Sequence, residues 1–236
     1  MRQHLTVVNI LIAINVLLYF ASQSANAEIL ESLTLYFPKN DHFASWQLFT
    51  HMFMHASFAH IFLNVFAIWM FGTPLERLWG STRFLLYFFI SGIGAALFYT
   101  AIYYYQFDSL YNELLNAGMS PDTLQSSLKE GVYYPSIENS KELGGIYLGQ
   151  MLGASGAVYG ILVAFGMLFP NTKLMLIFLP VPIAAKYFIP ALISLDVFFG
   201  FTGYSLFGAN IAHFAHVGGA LVGLILMFSW RKQLMP

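Results

Sequence analysis

The sequence predicts an all-α polytopic membrane protein, a single domain over residues 1–236 built as a bundle of six transmembrane helices, and three observations carry that expectation. Of 236 residues, 58% are hydrophobic, 18% aromatic and only 9% charged, about a third of the charged share usual in soluble domains. A surface so poor in ionisable groups faces a solvent other than water. The apolar residues also fall into runs long enough for roughly 30 Å of hydrocarbon. Finally, a net charge of -1 conceals an uneven distribution of charge along the chain.

The first expected span, 5–22, is uninterrupted by charge. Arg2, the apolar run and the tripeptide Ala25-Asn26-Ala27 also imitate a cleavable signal peptide, but the run is long for one, so the segment is read as a retained span. The loop that follows carries Trp46, Phe49, Phe53 and Phe58, rings suited to headgroup depth, and "FTHMFMHASFAH" reads as a short interfacial helix or as packing over the span tops. The second span, 60–78, contains His60, Asn64 and Glu76; the third, 84–105, is purely apolar or aromatic apart from small polar residues.

Residues 106–150 form an extracytoplasmic insertion with two expected helices. Asp108 is placed as a cap for "SLYNELLNA" with Gly118 as its stop, and Ser120 with Pro121 starts "PDTLQSSLKE", which ends at Gly131. The remaining spans are 153–169, which is short, 187–205, which contains Pro190 and Asp196, and 211–229.

With the N-terminus in the cytoplasm, the inner segments hold Arg2, Arg77, Arg83, Lys173, Lys186, Arg231 and Lys232, and the outer loops hold Lys39, Lys129 and Lys141. That asymmetry favours both termini inside. There is no cysteine, which removes disulfides, thiolate metal sites and a thiol nucleophile.

The chemistry centres on "GASGAVYG", Gly153 to Gly160. Taken alone, its glycines at spacings of three and four let membrane helices approach closely, and packing outweighs catalysis as the role of Ser155. The stretch "AHFAHVGGALVG" alters that balance, because His213 and His216 stand near the outer end of the last span, with Gly219 and Gly223 on one face. Histidine is costly within a membrane helix and usually faces the bundle. Glycines on both spans bring the fourth and sixth together, which sets Ser155 and an imidazole base at similar depth. In "HIFLN", His60 and Asn64 share a helical face, and their side chains can donate to an oxyanion.

His60-x-x-x-Asn64, Gly153-Ala154-Ser155-Gly156 and Ala215-His216-x-x-Gly219-x-x-x-Gly223, in this order along the chain, resemble the motifs of rhomboid intramembrane serine proteases. The resemblance covers Trp46 to Arg231. It implies Ser155 as nucleophile and His216 as general base, a dyad without a carboxylate. It further implies an oxyanion hole from His60, Asn64 and the Ser155 N–H, and Tyr159 packed on the imidazole. Gly153, Gly156, Gly219 and Gly223 are the helix-packing positions, and Glu76 and Arg77 in "GTPLERLWGS" are structural. His213 is expected to face water or a loop, and Asp196 to make a local polar contact.

Three rivals are weaker. A metal centre at His51, His55 and His60 lacks a nearby carboxylate or a His-Glu-x-x-His motif, so no metal or cofactor is expected. A transporter lacks an inverted repeat. A catalytically silent rhomboid-like protein that binds membrane clients is the alternative, although both Ser155 and His216 are present. The expected partners are single-pass or polytopic membrane-protein substrates and the bilayer, with no nucleic acid. The expected location is a bacterial cytoplasmic membrane with the active site opening outward, and the fifth span and first outer loop are the expected route of substrate entry.

Overall fold

The end of one helix holds the start of another. In the computed structural model, which describes residues 6–24, 31–135, 137, 139–176, 179–203 and 212–230, helix α1 (Val7–Ser24) begins under a carboxylate supplied by helix α2 (Phe58–Trp79). A helix leaves its first N–H groups without internal partners. Here Glu76 accepts from the Val7 and Val8 N–H groups at 2.7 and 2.9 Å, and the Thr6 hydroxyl accepts from Asn9 N–H at 3.3 Å. Ser81 donates to the same carboxylate at 2.6 Å. Glu76 is therefore structural in position, and α1, α2 and the next helix meet on it. Arg2, Ala25-Asn26-Ala27, Arg231 and Lys232 lie outside the described residues, as do the ends of three expected spans at Leu5, 204–205 and 211.

Helix α2 contains a π-helical turn at Ile68–Gly72, a local insertion that interrupts the regular ladder. Helix α3 (Ser81–Asn116) is 36 residues long, about 54 Å at the helical rise, and overshoots its expected span by eleven residues, 106–116. Asp108 consequently lies inside α3 and caps nothing. The reason is an apolar stripe: Phe107, Leu110 and Leu114 continue the buried face of the helix. They form a satellite core with Phe37, and with Leu124 and Leu128 of α4 (Pro121–Glu130) and Leu143, Ile146 and Tyr147 in α5 (Ser140–Leu148). The Ser120 cap, accepting from Thr123 N–H at 3.1 Å, and the left-handed Gly131 stop stand where the sequence puts them.

The chain is not purely helical. Strand β1 (Leu35–Tyr36) pairs antiparallel with β2 (Gln150–Met151), which joins the segment between α1 and α2 to the residues just before Ser155. Strands β3 (Lys173–Leu176) and β4 (Leu179–Ala184) pair antiparallel between α6 (Ser155–Leu168) and α7 (Ala185–Thr202). The last helix is α8 (His213–Ser229). By length and composition α2, α3 and α7 can cross a membrane, and α1, α6 and α8 are shorter apolar helices.

Residues 156–165 of α6 are buried on every side, which is why its apolar residues form no stripe. Against it, α8 approaches backbone to backbone: a Cβ on Gly219 would stand 1.9 Å from the Gly156 carbonyl oxygen, and one on Gly223 2.6 Å from Gly160 Cα. From α3, the single hydroxyl proton of buried Tyr87 lies between the Gly160 and Gly223 carbonyls, at 3.0 and 2.9 Å. Three helices are locked at one point.

Candidate active site

Ser155 is the first residue of α6, with Ala154 as its cap. The Ser155 N–H therefore belongs to the group that helix geometry leaves without an internal partner. The turn before it needs glycine: Gly153 has φ +111° and donates to the His51 carbonyl at 2.8 Å. A Cβ there would stand 2.6 Å from His60 Nε2. Gly153 was expected as a helix-packing residue and is corrected to one that makes room for the His60 ring, because it precedes the helix.

His216 lies in the first turn of α8, and the glycine seam below it sets its height against Ser155. Its Nε2 is 2.9 Å from Ser155 Oγ. The Tyr159 ring, one turn after the serine, stacks on the imidazole with centroids 4.3 Å apart and planes 9° from parallel.

The structure also brings a carboxylate, Asp196, to the imidazole of the expected dyad. This residue of α7 is 5% exposed, and its Oδ1 is 3.0 Å from His216 Nδ1 and 2.6 Å from His213 Nδ1. Its Oδ2 accepts the Tyr159 hydroxyl. Asp196 is thus more than a local contact, and His213 is bonded to it rather than turned to water or a loop. A buried carboxylate in an apolar helix is costly unless it is hydrogen-bonded, and these three donors supply that. With the Nδ1 proton directed at Asp196, the Nε2 lone pair faces the serine hydroxyl.

His60 and Asn64 occupy one face of α2, as their spacing requires. The His60 ring packs by Gly153, two residues before Ser155, and edge-on to His55 with centroids 5.0 Å apart. Asn64 is buried; its Nδ2 donates to the His60 carbonyl at 2.9 Å, and its Oδ1 has no partner among the described residues. The second N–H of that amide is the donor left over for a ligand.

His51 and His55 are each 1% exposed and lie in the segment before α2, His51 within a short 3₁₀ turn. Among the described residues, the group able to share an ion is Asp196, His213 and His216, whose ligand atoms lie within 4.8 Å of one another. Those same atoms are already joined by hydrogen bonds, so an ion would displace the Nδ1 protons and engage the imidazole that meets Ser155.

The sequence model of the Rhomboid domain matches residues 42–233. The chain is 26% identical over 178 residues to Rhomboid protein 1, mitochondrial, of Saccharomyces cerevisiae, covering 75% of this chain and 39% of that protein. It is 25% identical over 192 residues to Rhomboid protease AarA of Providencia stuartii, covering 78% and 56%. With RHOMBOID-like protein 12, mitochondrial, of Arabidopsis thaliana it shares 30% identity over 186 residues, 78% of this chain and 46% of that one. The matched part thus spans roughly half the length of these relatives or less.

Proposed function

Because the chain belongs to the rhomboid family, we propose that it is an intramembrane serine endopeptidase that cleaves membrane proteins in or near a transmembrane helix. One observation carries the proposal: Ser155 Oγ and His216 Nε2 are within hydrogen-bond distance at 2.9 Å, the reach a nucleophile and its base require.

In the proposed reaction, Ser155 Oγ bonds to the scissile carbonyl carbon while its proton passes to His216 Nε2. The carbonyl oxygen becomes an oxyanion, stabilised by the Ser155 N–H, His60 and the free N–H of Asn64. The imidazolium then protonates the leaving amine as the C–N bond breaks. Water then attacks the acyl-serine, giving its proton to His216 Nε2, which passes it to Ser155 Oγ as the ester C–O bond breaks and the carboxylic acid is released. Tyr159 keeps the ring plane fixed through both halves.

We place six apolar helices across the bilayer, α1, α2, α3, α6, α7 and α8, with both termini cytoplasmic and Ser155 near the outer side, in a bacterial cytoplasmic membrane. The basic residues support this orientation. The 36-residue α3 and its satellite core would then stand outside the bilayer beyond its span. A fluorophosphonate probe is expected to label the wild type and not Ser155→Ala, and His216→Ala is expected to abolish cleavage of a reconstituted membrane substrate. Labelling that persists in Ser155→Ala would falsify the assignment.

A further inference from the structure

We propose that Asp196 is a positioning residue for His216, held in that role by His213 and Tyr159, so that the site works with a carboxylate brought by a third helix. The inference rests on the serine protease reading above and adds to it the group that sets the base.

Each partner of Asp196 is assigned by an atom. Oδ1 takes the Nδ1 protons of His216 and His213, at 3.0 and 2.6 Å, and Oδ2 takes the Tyr159 hydroxyl. Three donors on a carboxylate that is 5% exposed fix its plane. Tyr159 therefore acts on the imidazole twice, by stacking on its face and by holding the acid at its edge. His213 is the first residue of α8, three before His216, and its Nε2 is buried with no partner among the described residues. Among the described residues, the hydrogen bond of that ring runs from Nδ1 to Asp196.

A buried aspartate that needed only to be satisfied would be served by any three donors. This one engages the same imidazole whose other nitrogen meets the nucleophile. Through that bond it selects the tautomer with Nε2 free, and it opposes the positive charge that His216 gains when it takes the serine proton. The proton stays on Nδ1 throughout, and Asp196 stays ionised. The ground-state geometry of substrate binding is untouched, so the effect falls on turnover.

The test uses the full chain in lipid vesicles with a membrane substrate. Asp196→Asn is expected to lower kcat by about 10²-fold, and by up to about 10⁴-fold where the amide turns its NH₂ toward His216 and forces the other tautomer, with KM held within about twofold. Asp196→Glu is expected to recover part of the loss. Tyr159→Phe, which keeps the stacked ring and removes only the hydroxyl, is expected to cost about tenfold in kcat. Folding is controlled by substrate binding in Ser155→Ala with and without Asp196→Asn, which should agree. An Asp196→Asn enzyme whose kcat stays within about threefold of wild type overturns the proposal, as does a loss confined to KM. If Asp196→Asn does not fold, an unchanged kcat in Tyr159→Phe overturns it. A wild type that neither takes the serine probe at Ser155 nor cleaves overturns the protease reading and this one with it, which separates the two failures.

Discussion

Gly219 lies so close to Gly156 that a single added carbon on the first would stand 1.9 Å from the carbonyl oxygen of the second. Backbone cannot yield as a flexible side chain can, so α8 would have to move off α6. Ser155 and His216, one on each helix, would separate with it.

Gly219→Ala is therefore expected to lose activity and stability together. Overpacking costs roughly 1–3 kcal/mol, and a displacement of about 1 Å between reacting groups costs about 10²-fold in rate. Thermal unfolding and turnover, measured on one preparation, check this. Full activity in Gly219→Ala would mean that the seam does not set the distance.

Acid is expected to destabilise the protein through the loop before α2. Burial, with the His60 imidazole adding to it, pushes His55 down to about 3, and burial pushes His51 down to about 4 against its bond to the Gln47 carbonyl. In the unfolded chain both return to about 6.5. Below that pH the unfolded state binds protons that the folded state refuses, so stability falls as pH falls from about 6.5 toward these values. The midpoint of thermal unfolding should drop between pH 7.5 and 4.5, and His55→Gln should flatten that slope even if it lowers the midpoint at neutral pH.

Glu76→Gln is expected to loosen α1 without touching the chemistry. The carboxylate accepts from two backbone N–H groups and the Ser81 hydroxyl, and hydrogen bonds to charged groups contribute about 1.5–3 kcal/mol each. The variant should unfold about 1–3 kcal/mol more easily, yet take the serine probe at the wild-type rate at low temperature. A probe rate that collapses while stability is kept would contradict a structural role.

The features legible in the sequence were those with short-range signatures. Gly156, Gly160, Gly219 and Gly223 announce a close helix contact by spacing, and Ser120 and Gly131 announce a start and a stop. Asp196 was not legible in the same way. It is 20 residues from His216 along the chain, and no periodicity states which face of α7 meets α8. The overrun of α3 was visible in principle, since Phe107, Leu110 and Leu114 repeat at helical spacing, but Asp108 beside them carried a capping signal that tertiary burial overrode. The β1–β2 pair joins residues more than a hundred positions apart through two-residue strands, too short to show an alternating pattern.

The bonds between Glu76 and α1 also impose an order in time. Val7 and Val8 leave the ribosome 69 and 68 residues before the acid that will receive their N–H groups. Throughout that interval the first helix must sit in its surroundings without this anchor. Its final seating can close only when the last turn of α2 has been translated, so α1 is completed by a helix made after it.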